Sequence, residues 1–527
     1  MKKRYSFEAN WRPYAFPEDE SHLASEEELR NRYDTRSLTA DASLPAAGIP
    51  ILSDGKEITL DPENTMNIIF GATGSKKTRL LVAPYICACA KAGESMIIPD
   101  IKGELSQGLM SPYIYGELKE NDFQIRAVNF RDFDCDGFNI LLEPYRLYRS
   151  GRKDEAMTEI SRIVSSLVGI RPSLSADPFW EKTASQYLMA VIVLLFEFCD
   201  DPSRINMLTL ASYTSEDGCN YICRAAEQIN ADNNIMTMLR SVLSEPEKTR
   251  MSTLATANSY LTDYIVNEKL LKMLSESTFS PEELYQKKTA LFIIMPDETN
   301  AFKDIAGLLL SQISSFLVRA AYRMGGRLPR RVNYICDEFC QYYIPGMAVN
   351  IAAHRSRNIR WTLVCQSRRQ LEMTYRDDAA TILANCTNTF FLSSPETELL
   401  EELSLRAGYT SETPDGTPAR LISVAALRKM KSGWDYGDVY FSSGPFVCVS
   451  RLPDISHYQL VRHFTSPGVL ERHTFSSPEA YTPFMLLEEC SRCRKAFDLE
   501  RNGGRRISSS DKKAAAKYKR LFGNSQS

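Results

Sequence analysis

Met66-Asn-Ile-Ile-Phe70 followed by Gly71-Ala-Thr-Gly-Ser-Lys-Lys-Thr78 is the stretch on which the fold turns. Its short apolar run stops at Gly71, as a buried strand would, and a helix-compatible stretch follows Lys77 and ends near Gly93. A glycine-containing loop between a strand and a helix is the setting that a phosphate loop requires. The backbone N–H groups of such a loop point at phosphate oxygens, and the helix start adds a positive end. Gly71, Thr73, Gly74, Ser75, Lys76, Lys77 and Thr78 are therefore the candidate phosphate-binding residues. Lys77 would reach the β- and γ-phosphates, and Thr78 would hold Mg²⁺.

The loop departs from its pattern at one position. Against Gly-x-x-Gly-x-Gly-Lys-Thr, residues Gly71, Gly74, Lys77 and Thr78 match, and Lys76 stands where the third glycine is expected. Glycine there permits a positive φ and a close approach to phosphate; lysine brings a steric cost, partly offset by its charge. Shifting the register to make Lys76 the functional lysine loses the adjoining hydroxyl. The competing reading is a Gly-Ser turn carrying surface lysines.

Further strands follow outward from this loop. Ser95-Met-Ile-Ile98 and Phe123 to Phe130 read as strands, so strand, helix, strand points to a parallel sheet. Residues 151–283 carry helical periods, as in 155–168, 184–198 and 261–274, with few strand signals, and read as an all-helical insertion. Strands return at Thr289 to Met295, Val332 to Cys336, Trp361 to Cys365 and Thr389 to Leu392, with a helix over 305–324. Val332-Asn-Tyr-Ile-Cys336 ends in Asp337-Glu338. A nucleotide hydrolase needs one strand-end carboxylate for the Mg²⁺ shell, a part that suits Asp337, and a second to polarise water, which suits Glu338. Gln366, after the next strand, can sense a γ-phosphate or position water, and Arg355 or Arg357 can act across a subunit boundary. For either arginine a surface salt bridge is the plainer reading.

Composition bounds the class. The chain has 527 residues, enough for about three to four domain-sized units. With 43% hydrophobic and 24% charged residues it is neither disordered, collagen-like nor a polytopic membrane chain. Its 63 basic and 66 acidic side chains argue against nucleic-acid binding by bulk charge, though not against a local basic channel. The start, Met1-Lys-Lys-Arg4, has no apolar run behind it, and the longest apolar stretch, 188–196, falls short of the ~20 residues of a membrane helix. A cytoplasmic location is expected. The 13 cysteines are scattered as small core residues are, and the Cys490/Cys493 pair lacks partners for a zinc site.

The expected organisation is a polar extension over 1–45, with Pro13, Pro17, an acidic cluster at Glu18, Asp19 and Glu20, and a helix near 26–33 capped by Ser25 and Glu28. A nucleotide-binding unit spans 46–150 and resumes over 284–470. The all-α insertion lies between its halves, and 471–527 is a basic tail containing Arg505, Arg506, Lys512, Lys513, Lys517, Lys519 and Arg520.

In order along the chain these residues resemble the type IV coupling proteins of conjugation and type IV secretion, the TraG/TraD-like, FtsK-related ATPases. Residues 67–75 resemble that family's Walker A. Asp100-Ile-Lys-Gly-Glu104 is similar to its Asp-Pro-Lys-Gly-Glu motif, and Phe138-Asn139 to its Phe-Asn-Pro turn. Asp177-Pro-Phe-Trp-Glu181, Cys336-Asp-Glu-Phe339, Arg355-Ser-Arg357, Gln366-Ser-Arg-Arg-Gln-Leu371 and Asn385-Cys386 follow at the family's spacing. The resemblance implies an α/β fold, a RecA-like P-loop nucleotide-binding domain with an inserted all-α domain, in a homo-hexamer with ATP and Mg²⁺ between subunits. It implies a DNA-translocating motor that delivers a relaxase–DNA or protein substrate to the secretion channel. Lys77, Glu338, Gln366 and, as finger, Arg355 would be catalytic, and Thr78 and Asp337 would hold the metal. The alternative is a docking platform of the same fold with feeble hydrolysis, on account of Lys76. The family's N-terminal membrane helices have no counterpart here, so either a separate membrane anchor protein recruits the chain to the inner face of the cell membrane or the chain works soluble.

Overall fold

A computed structural model describes residues 22–38, 43–168, 179–228, 234–300, 302–410, 419–459, 468–501 and 508–522. Its strands are β1 (Asp34–Ser37), β2 (Pro50–Ser53), β3 (Glu57–Leu60), β4 (Met66–Phe70), β5 (Ser95–Ile101), β6 (Gln124–Asn129) and β7 (Thr289–Met295). After them come β8 (Val332–Cys336), β9 (Ile359–Cys365), β10 (Cys386–Phe391), β11 (Tyr409–Thr410), β12 (Ala419–Arg420), β13 (Tyr436–Ser443) and β14 (Phe446–Pro453).

Nine strands form the central sheet in the order β14-β13-β10-β4-β9-β8-β5-β7-β6. From β10 to β6 neighbouring strands are parallel; β13 and β14 close one side as an antiparallel hairpin. β4, β5, β7, β8 and β9 are buried at every residue. That is the signature of a parallel sheet covered on both faces, and it explains why their sequences are mostly apolar and do not alternate, with Asn67, Asp100, Asn333 and Arg360 among the buried polar exceptions. In such a sheet ligands bind at the carboxyl ends of strands. The order matters for the site: β4, carrying the phosphate loop, has β9 and then β8 on one flank, and β10 and then β13 on the other.

Between β6 and β7 the regular elements among the described residues are helices, from Leu142–Arg149 to Glu283–Gln286. The helix expected over 261–274 is two helices, Glu247–Ile265 and Glu268–Met273. Asn267 breaks the run because its side chain caps the second helix by accepting from the Leu270 N–H. The helix Glu26–Arg32 carries the expected capping box of Ser25 and Glu28.

The stretch from 471, read as a basic tail, instead contains the helices Pro483–Arg501 and Ser509–Phe522. Leu486, Cys490, Cys493 and Ala496 recur at helical spacing and are buried, and Cys493 and Ala496 pack with Ala514, Ala515 and Tyr518. The pair leans on the helical region: Ser491 donates to Gln228 Oε1 at 2.7 Å, and Lys517 Nζ donates to the Phe198 carbonyl at 3.0 Å. Lys512, Lys513 and Lys519 lie on the exposed face. The charged residues hid an apolar stripe of small side chains. Arg505, Arg506, the Arg520 side chain, the 1–21 part of the polar extension, and Asp177 and Pro178 lie outside the described residues.

Among the described residues one helix, Lys303–Arg323, is long and apolar enough to cross a membrane, and 83% of its apolar window is buried inside the fold. It lies in sequence between β7 and β8 and packs in the core.

Candidate nucleotide site

The loop after β4 takes a positive φ at two positions of its pattern. Gly74 adopts φ +79° and Lys76 φ +65°. Lys76 thus holds the left-handed backbone usually reserved for glycine, at a cost of about 1–2 kcal/mol. Its side chain runs outward, away from the cradle: Nζ donates to the carbonyls of Gly433 at 2.6 Å and Trp434 at 3.1 Å, and sits 5.3 Å from the Trp434 ring centroid. Its charge is therefore spent on residues just before β13.

Lys77 is folded back onto its own loop and buried, its Nζ donating to the Gly71 carbonyl at 2.6 Å and to the Ala72 carbonyl at 3.3 Å. A Cβ on Gly71 would lie 2.5 Å from Ser75 Oγ and 2.8 Å from Lys77 Cγ, so only glycine fits there. Ser75 Oγ is buried with no hydrogen-bond partner. An ammonium held only by neutral carbonyls and an orphaned hydroxyl are what a phosphate chain would satisfy.

The strand ends complete the arrangement. Thr78 Oγ1 donates to Asp337 Oδ2 at 3.3 Å, across from β8 to the loop. Asp337 Oδ1 accepts the Glu338 N–H at 3.0 Å. Burial, reinforced by the charge of Glu338, pushes the Asp337 carboxyl up to about 6, against the pull of Lys77. A divalent cation would reverse that shift by favouring the ionised form. Glu338 has φ +49° and ψ +42°, a left-handed turn that ends β8. Gln366, directly after β9, bridges the two neighbours: its Nε2 donates to Glu338 Oε2 at 2.7 Å, and its Oε1 accepts from Thr73 Oγ1 at 3.2 Å. The loop residues, Asp337, Glu338 and Gln366 thus come together at the carboxyl edge of adjacent strands.

Arg355 does not join them within the chain. It is exposed and precedes β9, and its carbonyl accepts from the side chain of Asn64, just upstream of β4. It lies at the amino edge of the sheet, roughly 20 Å along β9 from Gln366. Arg357 is turned onto the Ala353 carbonyl.

Two features escaped the sequence reading. Asp100, quoted only as part of a motif, is 1% exposed at the end of β5, beside β8. Burial pushes its carboxyl up to about 6, although Ser106 Oγ at 2.7 Å, the Ser106 N–H at 2.8 Å and the Leu105 N–H at 3.3 Å all donate to it. It pins the loop after β5. The second is the hairpin β13–β14, which braces the phosphate loop from the other flank. Ser432 Oγ donates to the Ser75 carbonyl at 3.0 Å, Arg79 Nε donates to Asp454 Oδ2 at 2.6 Å, and Gly437 lies so close to Leu80 that a Cβ would come within 2.2 Å of it.

Residues 23–419 match the family model described as type IV secretory system conjugative DNA transfer. The chain belongs to that family. Comparison with curated proteins finds no match. Among solved structures the chain is similar to the plasmid coupling protein TrwB in complex with the ATP analogue ADPNP, at 16% identity and TM-score 0.55, over 89% of this chain and 98% of that one. It is similar at TM-score 0.56 and 15% identity to TrwB with ADP and Mg²⁺, over 87% of this chain and 94% of that one. TrwB with the GTP analogue GDPNP gives 0.57 and 16%, over 88% and 99%. The shared architecture is a mixed α/β fold with a large central sheet, a RecA-like unit with an all-α part.

The donor set also fits a metal delivered with a nucleotide. Among the described residues no group of three or more His, Cys, Asp or Glu side chains could hold an ion by itself. One hydroxyl and one carboxylate, Thr78 and Asp337, suit Mg²⁺, which keeps most of its waters and takes its remaining ligands from phosphates.

Proposed function

We propose that this conjugative DNA transfer family member is a coupling protein that binds Mg²⁺–ATP at the β4, β8 and β9 strand ends and uses its turnover to drive DNA. The substrate class is relaxase-bound DNA, or a protein effector, handed to the type IV secretion channel. The observation that carries this reading is the chain of contacts from Thr73 through Gln366 to Glu338, and from Thr78 to Asp337, which joins phosphate loop and carboxylates in one site.

When bound, Mg²⁺ neutralises charge on the β- and γ-phosphates. Lys77 leaves the Gly71 carbonyl to pair with those phosphates, and the loop N–H groups hold the chain in line. Asp337 and Thr78 would hold the metal. Glu338 takes the proton of the attacking water, and Gln366, bonded to it, orients that water and reports the γ-phosphate to Thr73. Arg355, at the far edge of the sheet, serves a neighbouring subunit's site in a homo-hexamer.

A second reading is a docking platform of the same fold with feeble hydrolysis, favoured by the strained backbone at Lys76. DNA-stimulated ATP turnover separates the two. The motor reading expects turnover by the wild-type chain; no turnover in wild type with recovery in Lys76→Gly would leave the platform standing.

A further inference from the structure

Trp434 is 91% exposed, although the turn that carries it is braced on every side. The Gly433 N–H donates to the Tyr436 carbonyl at 2.7 Å, and the Asp454 N–H donates to the Asp435 carbonyl at 2.7 Å. Ser432 and Lys76 fasten the same turn to the phosphate loop. A large aromatic ring on a fixed backbone, left in water at the rim of a phosphate cradle, exposes apolar area that burial would favour.

The sheet order gives the ring its meaning. Asp337, Glu338 and Gln366 stand on the β8–β9 flank of β4, so a triphosphate whose γ end faces them runs its α end toward the opposite flank. That flank is β10 and β13, and the residue projecting there, two positions before β13, is Trp434. The nucleoside of a bound nucleotide is thus directed at this ring.

We propose that Trp434 is the stacking platform for the nucleobase, with Lys76 as the residue that positions it. The proposal rests on the nucleotide reading above. It gives a second account of Lys76: the lysine holds the turn through the Gly433 and Trp434 carbonyls and covers the ring at 5.3 Å. Stacking is indifferent to exocyclic groups, so adenine and guanine nucleotides bind alike.

The test is calorimetric titration of the full chain with Mg²⁺–ATP, Mg²⁺–GTP and Mg²⁺–tripolyphosphate, the last having the phosphates without a base. Trp434→Ala is expected to weaken ATP and GTP binding about tenfold and to leave tripolyphosphate unchanged. Trp434→Phe is expected to recover most of the loss. Lys76→Met is expected to weaken ATP binding in the wild-type background and to add nothing in Trp434→Ala, the non-additivity of residues acting as one unit. Equal loss for ATP and tripolyphosphate in Trp434→Ala, or no loss for either, overturns the platform. Wild-type protein that binds tripolyphosphate as tightly as ATP overturns the platform and leaves the phosphate site intact. Wild-type protein that binds neither overturns both.

Discussion

On the β8–β9 flank of the phosphate loop, Asp337, Glu338 and Gln366 hang from consecutive strand ends and touch the loop through Thr78 and Thr73. On the β10–β13 flank, Ser432, Gly433 and Trp434 reach the loop from a hairpin and touch it through Ser75 and Lys76. The first flank consists of two acids and an amide, the groups that the proposed turnover would use on a γ-phosphate. The second consists of backbone carbonyls that hold Lys76 and an exposed ring, the proposed platform for a base. The contrast explains why a lysine is tolerated where glycine is expected. Lys76 has the backbone of glycine, and its side chain belongs to the second flank, so the change at 76 leaves the carboxylate flank untouched.

The largest expected effect tests whether the carboxylate flank is complete in one chain. Arg355→Ala is expected to lower turnover of the assembled protein about 10³-fold, and mixing it with Lys77→Ala subunits should restore part of the activity. Arg355→Ala protein with normal turnover would mean that one chain suffices. Next, Glu338→Gln is expected to lower turnover at least about 10²-fold while nucleotide affinity stays within about twofold of wild type, since the chain's contacts to phosphate come from the loop.

A pH series gives a smaller effect with a defined sign. The Asp337 carboxyl titrates at about 6, above its ordinary 3.8. Mg²⁺ needs the ionised form, so Mg²⁺–nucleotide affinity should fall as pH drops below 6, by about tenfold between pH 7 and pH 5. Asp337→Asn should bind weakly and without that slope. For the nucleotide-free fold the sign is opposite: the raised carboxyl contributes stability that is full below about pH 4 and lost as pH rises through 6. The smallest effect belongs to the hairpin flank. Lys76→Gly removes the left-handed strain and the two carbonyl contacts together, so unfolding free energy should shift by less than about 1 kcal/mol. A much larger loss would show that the lysine is a structural clamp above all.

The sequence and the structure agree where one residue pattern had one physical meaning. β7 and β8 coincide with the apolar runs Thr289–Met295 and Val332–Cys336, because both are buried on two faces and neither alternates. The strand–loop–helix setting of Gly71 to Thr78 was legible for the same reason, since its glycines and lysines are local. The hairpin's role was not legible: Lys76 and Gly433 are hundreds of positions apart in sequence, and only the pairing of β13 beside β10 brings them together. The C-terminal helices were missed because small residues, Ala514, Ala515, Cys490 and Cys493, form their buried stripe among lysines and arginines. Arg355 was legible as a motif, but its distance from the site follows from which end of β9 it occupies.

The most direct test of the account is ATP turnover by the purified chain, with and without DNA, in wild type and in Glu338→Gln at matched nucleotide saturation. The account predicts turnover in wild type that rises with DNA, and bound but unhydrolysed ATP in Glu338→Gln. Equal turnover in both proteins would contradict it.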